Sequence, residues 1–250
     1  MEITIITAVY NGESTIGNSL DSLYKQTYKN FEHVIIDGDS SDKTVKVIKS
    51  KIDNRSIIHS EKDKGIYDAL NKGILLAKGD IIGILHSDDF YSSNEILEKV
   101  VETFEINKCD LLYADLEYIS KNNSNKKVRE WVSGKFDKVK LKYGWMPPHP
   151  TVFMKTDLIK KIGFYDTNYK ISSDYDFLLR CLLDKNIKVE YLQIKMIKMK
   201  VGGISNRSIK NILLKMNEDY SIIKKNKIYF IAPIITLLLK NVLKVNQIRV

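Results

Sequence analysis

The chain has 250 residues, 44% of them apolar and 28% charged, a composition that excludes disordered, collagen-like and coiled-coil proteins and suits one domain or two tight lobes. Its formal charge of +9 is uneven, with 13 Lys/Arg against 3 Asp/Glu from residue 186 onward and 27 against 28 before it. A nucleic-acid fold carries its charge along its reading face, so a near-neutral body with a basic tail argues against nucleic acid and for an anionic docking surface.

The first strand signal is the β-branched run 3–9, repeated at 31–36 (FEHVII) and 81–85 (IIGIL). Helical periodicity fills the gaps at 14–26, where Ile16, Leu20 and Leu23 share a stripe, at 44–51 and at 66–77. This β-α-β-α-β-α-β alternation predicts an α/β fold with a doubly wound, mostly parallel sheet whose ligand site lies beyond the carboxyl ends of its strands. Those ends carry TAVYN (7–11), DGDSSD (37–42) and HSDD (86–89). A helix at 93–106, a strand at 110–119 and a Lys/Asn/Ser-rich hairpin tip at 121–127 come next. The stretch 143–153, YGWMPPHPTVF, holds three of the four prolines and reads as a rigid aperiodic loop. Helices are expected at 172–183, 208–225 and 228–245.

Cys109 and Cys181 lie far apart with no ligand spacing, so the cysteines predict neither a disulfide framework nor a zinc site and fit a reducing compartment. MEITIITAVYN lacks the basic start of a signal peptide. The longest uncharged apolar run, 228–239, has twelve residues against the roughly 20 that span a bilayer. The expectation is a cytoplasmic protein.

Asp37 and Asp39 follow one buried strand and Asp88 and Asp89 another, so the sheet rule turns both clusters toward one crevice. Grouped carboxylates repel and are costly to desolvate, and they call for hydrogen-bond donors, a divalent cation, or both. Mn²⁺ or Mg²⁺ suits such a site through one or two carboxylates plus the oxygens of a diphosphate. An Asp after a strand also serves as a helix cap or turn former.

In order and spacing, TAVYN, DGDSSDKT, EKDKGIYDALNKGILLAKGDIIGILHSDD and ISSDYDFLLR resemble glycosyltransferase family 2, inverting enzymes with the GT-A fold. The resemblance covers about residues 1–185. It implies a nucleotide-sugar half at about 1–107 and an acceptor half at about 108–200, and the charge pattern adds a basic tail at 201–250. It implies that Thr7, Val9 and Tyr10 cradle a nucleotide, with Asp37 accepting from its base or ribose and Asp39 in the same pocket. Gly65, Asp68, Asn71 and Ser87 fall on the donor side, whereas Lys72 reads as solvated helix surface. The family's usual Asp-x-Asp stands here as His86-Ser87-Asp88, so Asp88 is the expected metal ligand, and Asp89 and His86 are further candidates. His86 equally fits a ribose contact or a polar strand end.

An inverting transfer needs one base to deprotonate the acceptor hydroxyl, and the resemblance gives that role to Asp174. Asp176, two residues on, points away on a helix and suits pairing with Arg180 at i+4. Trp145 and His149 fall on the acceptor side, Trp145 as a surface for sugar stacking. UDP is the favoured nucleotide, and capsule, O-antigen or exopolysaccharide synthesis the implied setting.

The tail at 201–250 reads as a basic amphipathic helix lying on an anionic membrane, each Lys or Arg contributing about 1 kcal/mol near such a surface. That would bring the site to a polyprenyl-diphosphate-linked saccharide at the inner face of the membrane. The alternatives are a helix packed on the body and a homodimer contact. For the whole chain, the alternatives are a sugar-phosphate nucleotidylyltransferase, disfavoured because TAVYNGEST has no basic Gly-rich loop, and a carbohydrate-binding protein on a decayed transferase fold.

Overall fold

The computed structural model describes residues 1–120, 123, 126–201, 208–229 and 232–249, with side chains as far as Lys240. Most of the hairpin tip expected at 121–127 therefore lies outside the described residues, as do the side chains of Lys244 and Arg249.

Strand β1 (Ile3–Val9) lies inside the sheet, with a strand on either side, and is buried along its whole length. Ile6 and Ala8 face one side, while Ile3, Ile5 and Val9 face the other, which is why a continuous β-branched run and not an alternating one encodes it. It pairs in parallel with β2 (Phe31–Asp37) and β4 (Ile81–Ile84), and β2 with β3 (Ser56–Ser60). The helices α1 (Ile16–Tyr24) and α2 (Thr44–Lys49) bury Ile16, Leu20 and Ile48 on one face. Across the sheet, α3 (Ile66–Leu76) buries Ala69, Leu70 and Ile74 against Ile6, Val34 and Ile36.

The sheet changes character beyond β4. Strand β8 (Phe153–Lys155) runs antiparallel to β4 and to the start of β6 (Leu111–Ile119), and β7 (Lys127–Trp131) is antiparallel to β6. A Cβ on Gly83 would lie 2.3 Å from the Phe153 ring, so this junction admits no side chain. The long β9 (Val189–Lys200) runs parallel to β6 and antiparallel to β5 (Phe90–Tyr91), pinning the chain just after HSDD. Between β5 and β6, α4 (Ile96–Asn107) covers the same face as α1. Helix α5 (Thr156–Ile162) follows β8.

The proline-rich stretch is more regular than expected. It is bounded by two 3₁₀ turns, Lys138–Tyr143 and His149–Thr151, and its last residue begins β8. Pro150 sits in the first turn of the second, where a missing N–H costs nothing, and Thr151 Oγ1 ties that turn to Ala114 O at 3.0 Å.

Helix α6 (Ser173–Leu183) is nearly all buried. Helices α7 (Ile209–Asn226) and α8 (Pro233–Gln247) pack on the body: α7 buries Glu218, Asp219, Ile222 and Ile223, and α8 buries Thr236 and Leu237. Strand β10 (Ile248–Arg249) pairs with β7. Gly144 has a φ of +84°, and a Cβ there would fall 2.6 Å from Lys240 Cα, so α8 crosses directly over that turn.

Candidate active site

The parallel register sets Val9 beside Asp37 and Asp37 beside Ser60, so the three strands end together. Asp37 is fully buried, with Oδ2 accepting from Ser60 Oγ at 2.6 Å and Ser40 N at 3.1 Å. Oδ1 has no donor, and a buried polar atom left so costs about 1–3 kcal/mol that an incoming N–H or O–H recovers. Tyr10 is 65% exposed, and the exposed Asp39 holds a left-handed φ of +65°. Open space surrounds Gly65, whose φ is +117°.

Several donor-side expectations meet residues already engaged elsewhere. Thr7 Oγ1 donates to Leu85 O at 2.8 Å and meets His33 Nε2 at 2.9 Å, and Val9 packs on Ile16 and Leu20. Neither offers a side chain to the edge. Asp68 caps α3 by accepting from Lys64 N at 3.0 Å. Asn71 clasps the backbone of Tyr165 with both ends of its amide, each bond 2.9 Å. Lys72, expected in solvent, reaches Glu61 at 2.5 Å.

Below this edge lies a cleft of about 240 Å³ lined by His86, His149, Asp174, Lys215 and Lys240 among apolar side chains. Asp174 sits in the first turn of α6, where the helix dipole favours a carboxylate. Its Oδ1 accepts from Tyr175 N at 2.8 Å and lies 3.2 Å from Tyr67 Oη, whose one proton is shared with Ile171 O at 2.7 Å. Oδ2 has no partner among the described residues. The approach to α6 is held from outside by Glu218 of α7, which accepts from the N–H groups of Lys170, Ile171 and Ser172 at 2.8, 3.0 and 2.9 Å. As the i+4 spacing predicts, Asp176 is fully buried and bonds Arg180 Nε at 2.8 Å.

His149 and His86 face one another with ring centroids 5.9 Å apart. Burial pushes His149 down to about 4, against the pull of Asp174, and its Nε2 lies 2.8 Å from Tyr165 Oη. Burial also holds His86 below the ordinary histidine range, with Asp88 and Asp174 both pulling it back up. One imidazole thus feels the carboxylate at the end of β4 and the one on α6.

Trp145 does not stack on a ligand in this geometry. It is 4% exposed, donates from Nε1 to Ser133 O at 3.0 Å and packs edge-on to Tyr113. Asp89 is fully buried outside the cleft lining, neither of its carboxylate oxygens takes a bond from a described residue, and desolvation raises its carboxyl well above the usual range. Asp88 is exposed and takes no bond from the described residues, and Ser87 beside it is half-buried. No three His, Cys, Asp or Glu among the described residues form a metal cage. The donor set fits Mn²⁺ or Mg²⁺ in the mode where one carboxylate is completed by water and diphosphate oxygens.

Tyr67, Tyr165, Glu218, Lys215 and Lys240 were not expected here. Tyr67 lies inside the motif EKDKGIYDALNK between two residues singled out there, whereas the other four stand far from any strand-end motif, and the hint available for them was the helical spacing that puts Lys215 and Glu218 on adjoining faces of one helix.

Residues 4–168 match the family described as Glycosyl transferase family 2. The chain belongs to this family. It is 30% identical over 217 residues, 85% of this chain and 82% of the relative, to a PGL/p-HBAD biosynthesis glycosyltransferase of Mycobacterium bovis. It is 31% identical over 213 residues to an uncharacterised glycosyltransferase of Methanocaldococcus jannaschii, covering 82% and 72% of the two chains. Among solved structures, Staphylococcus aureus TarS residues 1–349 with UDP-GlcNAc has a TM-score of 0.70 at 18% identity, covering 90% of this chain and 65% of that one. The mannosyltransferase PcManGT of Pyrobaculum calidifontis, with GDP-Man and Mn²⁺, has a TM-score of 0.68 at 14% identity, covering 96% and 68%. These structures share the GT-A fold with the transferase, and family membership removes the nucleotidylyltransferase alternative.

Proposed function

We propose that this family 2 transferase moves one sugar, with inversion, from a nucleotide-sugar donor, UDP favoured, to a saccharide on a polyprenyl diphosphate. The observation that carries the reading is a carboxylate with one oxygen fixed and the other free, on the wall of a cleft where the half-buried His86 feels both it and Asp88. Tyr67 and Tyr175 N–H orient Asp174 through Oδ1, so Oδ2 is left to take the acceptor's hydroxyl proton. Burial pushes His149 down to about 4, so it is uncharged at pH 7, adds no positive charge beside Asp174 and is a weak proton acceptor. Asp37 offers its unsatisfied Oδ1 to the nucleotide, with Tyr10 and Asp39 on the open side.

Asp88, with Ser87 and His86 beside it, would hold the divalent cation, which when bound offsets negative charge on the departing diphosphate. The Mn²⁺ and GDP-Man in the PcManGT structure and the UDP-GlcNAc in the TarS structure support both the cation and the donor class.

The membrane placement rests on surface chemistry. No helix of the described residues is long and apolar enough to cross a bilayer. Yet α7 exposes Ile209, Ile212, Leu213, Met216 and Tyr220 at helical spacing, and α8 exposes Ile234, Ile235 and Leu238, a pattern that suits an interfacial helix pair among lysines. We place the protein peripherally on the inner face of the cell membrane, in capsule, O-antigen or exopolysaccharide synthesis. The test is a panel of nucleotide sugars with Mn²⁺ or Mg²⁺, followed by nucleoside diphosphate release with and without a lipid-diphosphate-linked saccharide. Release that the lipid-linked saccharide stimulates at least tenfold supports the reading. Equal release with a lipid-free saccharide overturns the acceptor assignment.

A further inference from the structure

The wall of the cleft facing α6 is built by the two C-terminal helices. Lys215 from α7 and Lys240 from α8 line it and share one anion, Asp219, at 2.6 and 2.8 Å. The two amines outnumber the one carboxylate between them, and the rest of the lining is mostly apolar, with Leu116 and Tyr118 of β6, Trp131 of β7 and Met199 of β9. The side chain of Lys240 is 13% exposed and its Nζ stands 3.1 Å over the centre of the Tyr175 ring. Apart from the Asp219 carboxylate, no described residue offers its N–H groups an acceptor. A charged donor buried with fewer acceptors than it has N–H groups is costly in proportion to its desolvation. Burial first, and Lys215 second, push Lys240 down to about 7 despite Asp219. Burial raises Asp219, but the two lysines outweigh it and hold its carboxyl low.

We propose that Lys240 and Lys215 form an anion subsite that grips a phosphate of the acceptor while its sugar hydroxyl lies at Asp174. An ammonium is a point-charge binder of phosphate, and the apolar wall around it matches the chain of an amphiphile. Asp219 holds both lysines in place while the subsite is empty, and a phosphate supplies the acceptors that Lys240 lacks. The assignment rests on the acceptor-side reading of the cleft given above. It places the transferase after a reaction that makes a phosphorylated saccharide carrier.

The test is calorimetric titration of the full chain, with UDP and Mg²⁺ present, using farnesyl phosphate, glycerol phosphate and farnesol as probes. Farnesyl phosphate binds and farnesol does not, and Lys240→Met weakens that binding at least tenfold while UDP affinity is unchanged. Tighter binding of farnesyl phosphate than glycerol phosphate identifies a lipid source, and equal binding a soluble one. Lys215→Met, at a half-buried position, repeats the measurement should Lys240→Met unfold. Farnesyl phosphate binding that neither substitution alters overturns the subsite. So does loss of UDP affinity in a folded Lys240→Met, which would assign the lysines to the donor. A chain that binds farnesyl phosphate through Lys240 but turns over no nucleotide sugar would sink the donor reading and leave the subsite standing.

Discussion

The strand-end edge and the cleft around Asp174 are made in different ways. At the edge, parallel strands stop together, and each polar cluster stands in sequence directly after the strand that delivers it. In the cleft the groups come from a 3₁₀ turn at His149, the first turn of α6 and two helices beyond residue 208. The first arrangement is local and its parts are separable. The second depends on long-range packing, with Glu218 bracing the approach to Asp174 and α8 lying over Gly144. Substitutions on the two sides should therefore fail differently.

The largest effect is expected from Asp174→Asn. The amide still accepts from Tyr67 and Tyr175 N–H through its oxygen, but it cannot take a proton, and kcat falls by roughly 10³ with donor affinity retained. Steady-state kinetics with a binding titration checks this; unaltered turnover would remove Asp174 from the chemistry. Next, Asp88→Ala lowers turnover by about 10² and abolishes the response to added Mn²⁺ or Mg²⁺, as a metal titration of variant and wild type shows.

A stability measurement compares the halves directly, because each buries a neutral histidine. His33 is pushed down to about 3 and His149 to about 4, in both cases chiefly by burial. Below the ordinary histidine pKa near 6.5 the unfolded chain takes up protons that the folded chain refuses. The stabilisation is therefore complete above about pH 6.5 and declines as pH falls toward those lower values. At about 1.4 kcal/mol per pH unit, wild type should lose roughly 2 kcal/mol relative to His33→Gln between pH 7 and 5. Paired urea titrations measure it, and the difference between proteins cancels the opposite trend of the buried Asp89 acid.

The smallest effect asks whether the C-terminal helices serve the site. Glu218→Gln replaces an oxygen with a donor against the N–H groups of Ile171 and Ser172. It should lower kcat about tenfold, leave the KM for donor near its wild-type value and cost about 1–3 kcal/mol of stability. A purely structural brace would lower the melting temperature and spare kcat in the surviving folded fraction.

The same contrast explains what could be read in advance. The runs 3–9, 31–36 and 81–85 are buried on both faces and need no partner to be recognised. Strand β3 is an edge with a mostly exposed face, and β9 interleaves lysines with apolar residues, so neither shows a continuous apolar run. Asp174 stood out through its motif, whereas the bond that orients it comes from Tyr67, 107 positions earlier. Trp145 illustrates the opposite error: a tryptophan between turn residues looks available, yet the packing of Tyr113 and Phe136 encloses it. The basic tail was legible as charge, but the carboxylate that ties it to the body, Glu218 against Lys170, Ile171 and Ser172, carries no signal of its partners in the sequence.

The crossing of Lys240 over Gly144 bears on the order in which the protein is assembled. A nascent chain that has emerged only as far as Ala232 already contains Asp88, Asp174 and the brace at Glu218, but its cleft lacks the part of the lining that Lys240 supplies. The strand-end clusters are thus synthesised well before the cleft can close around Asp174.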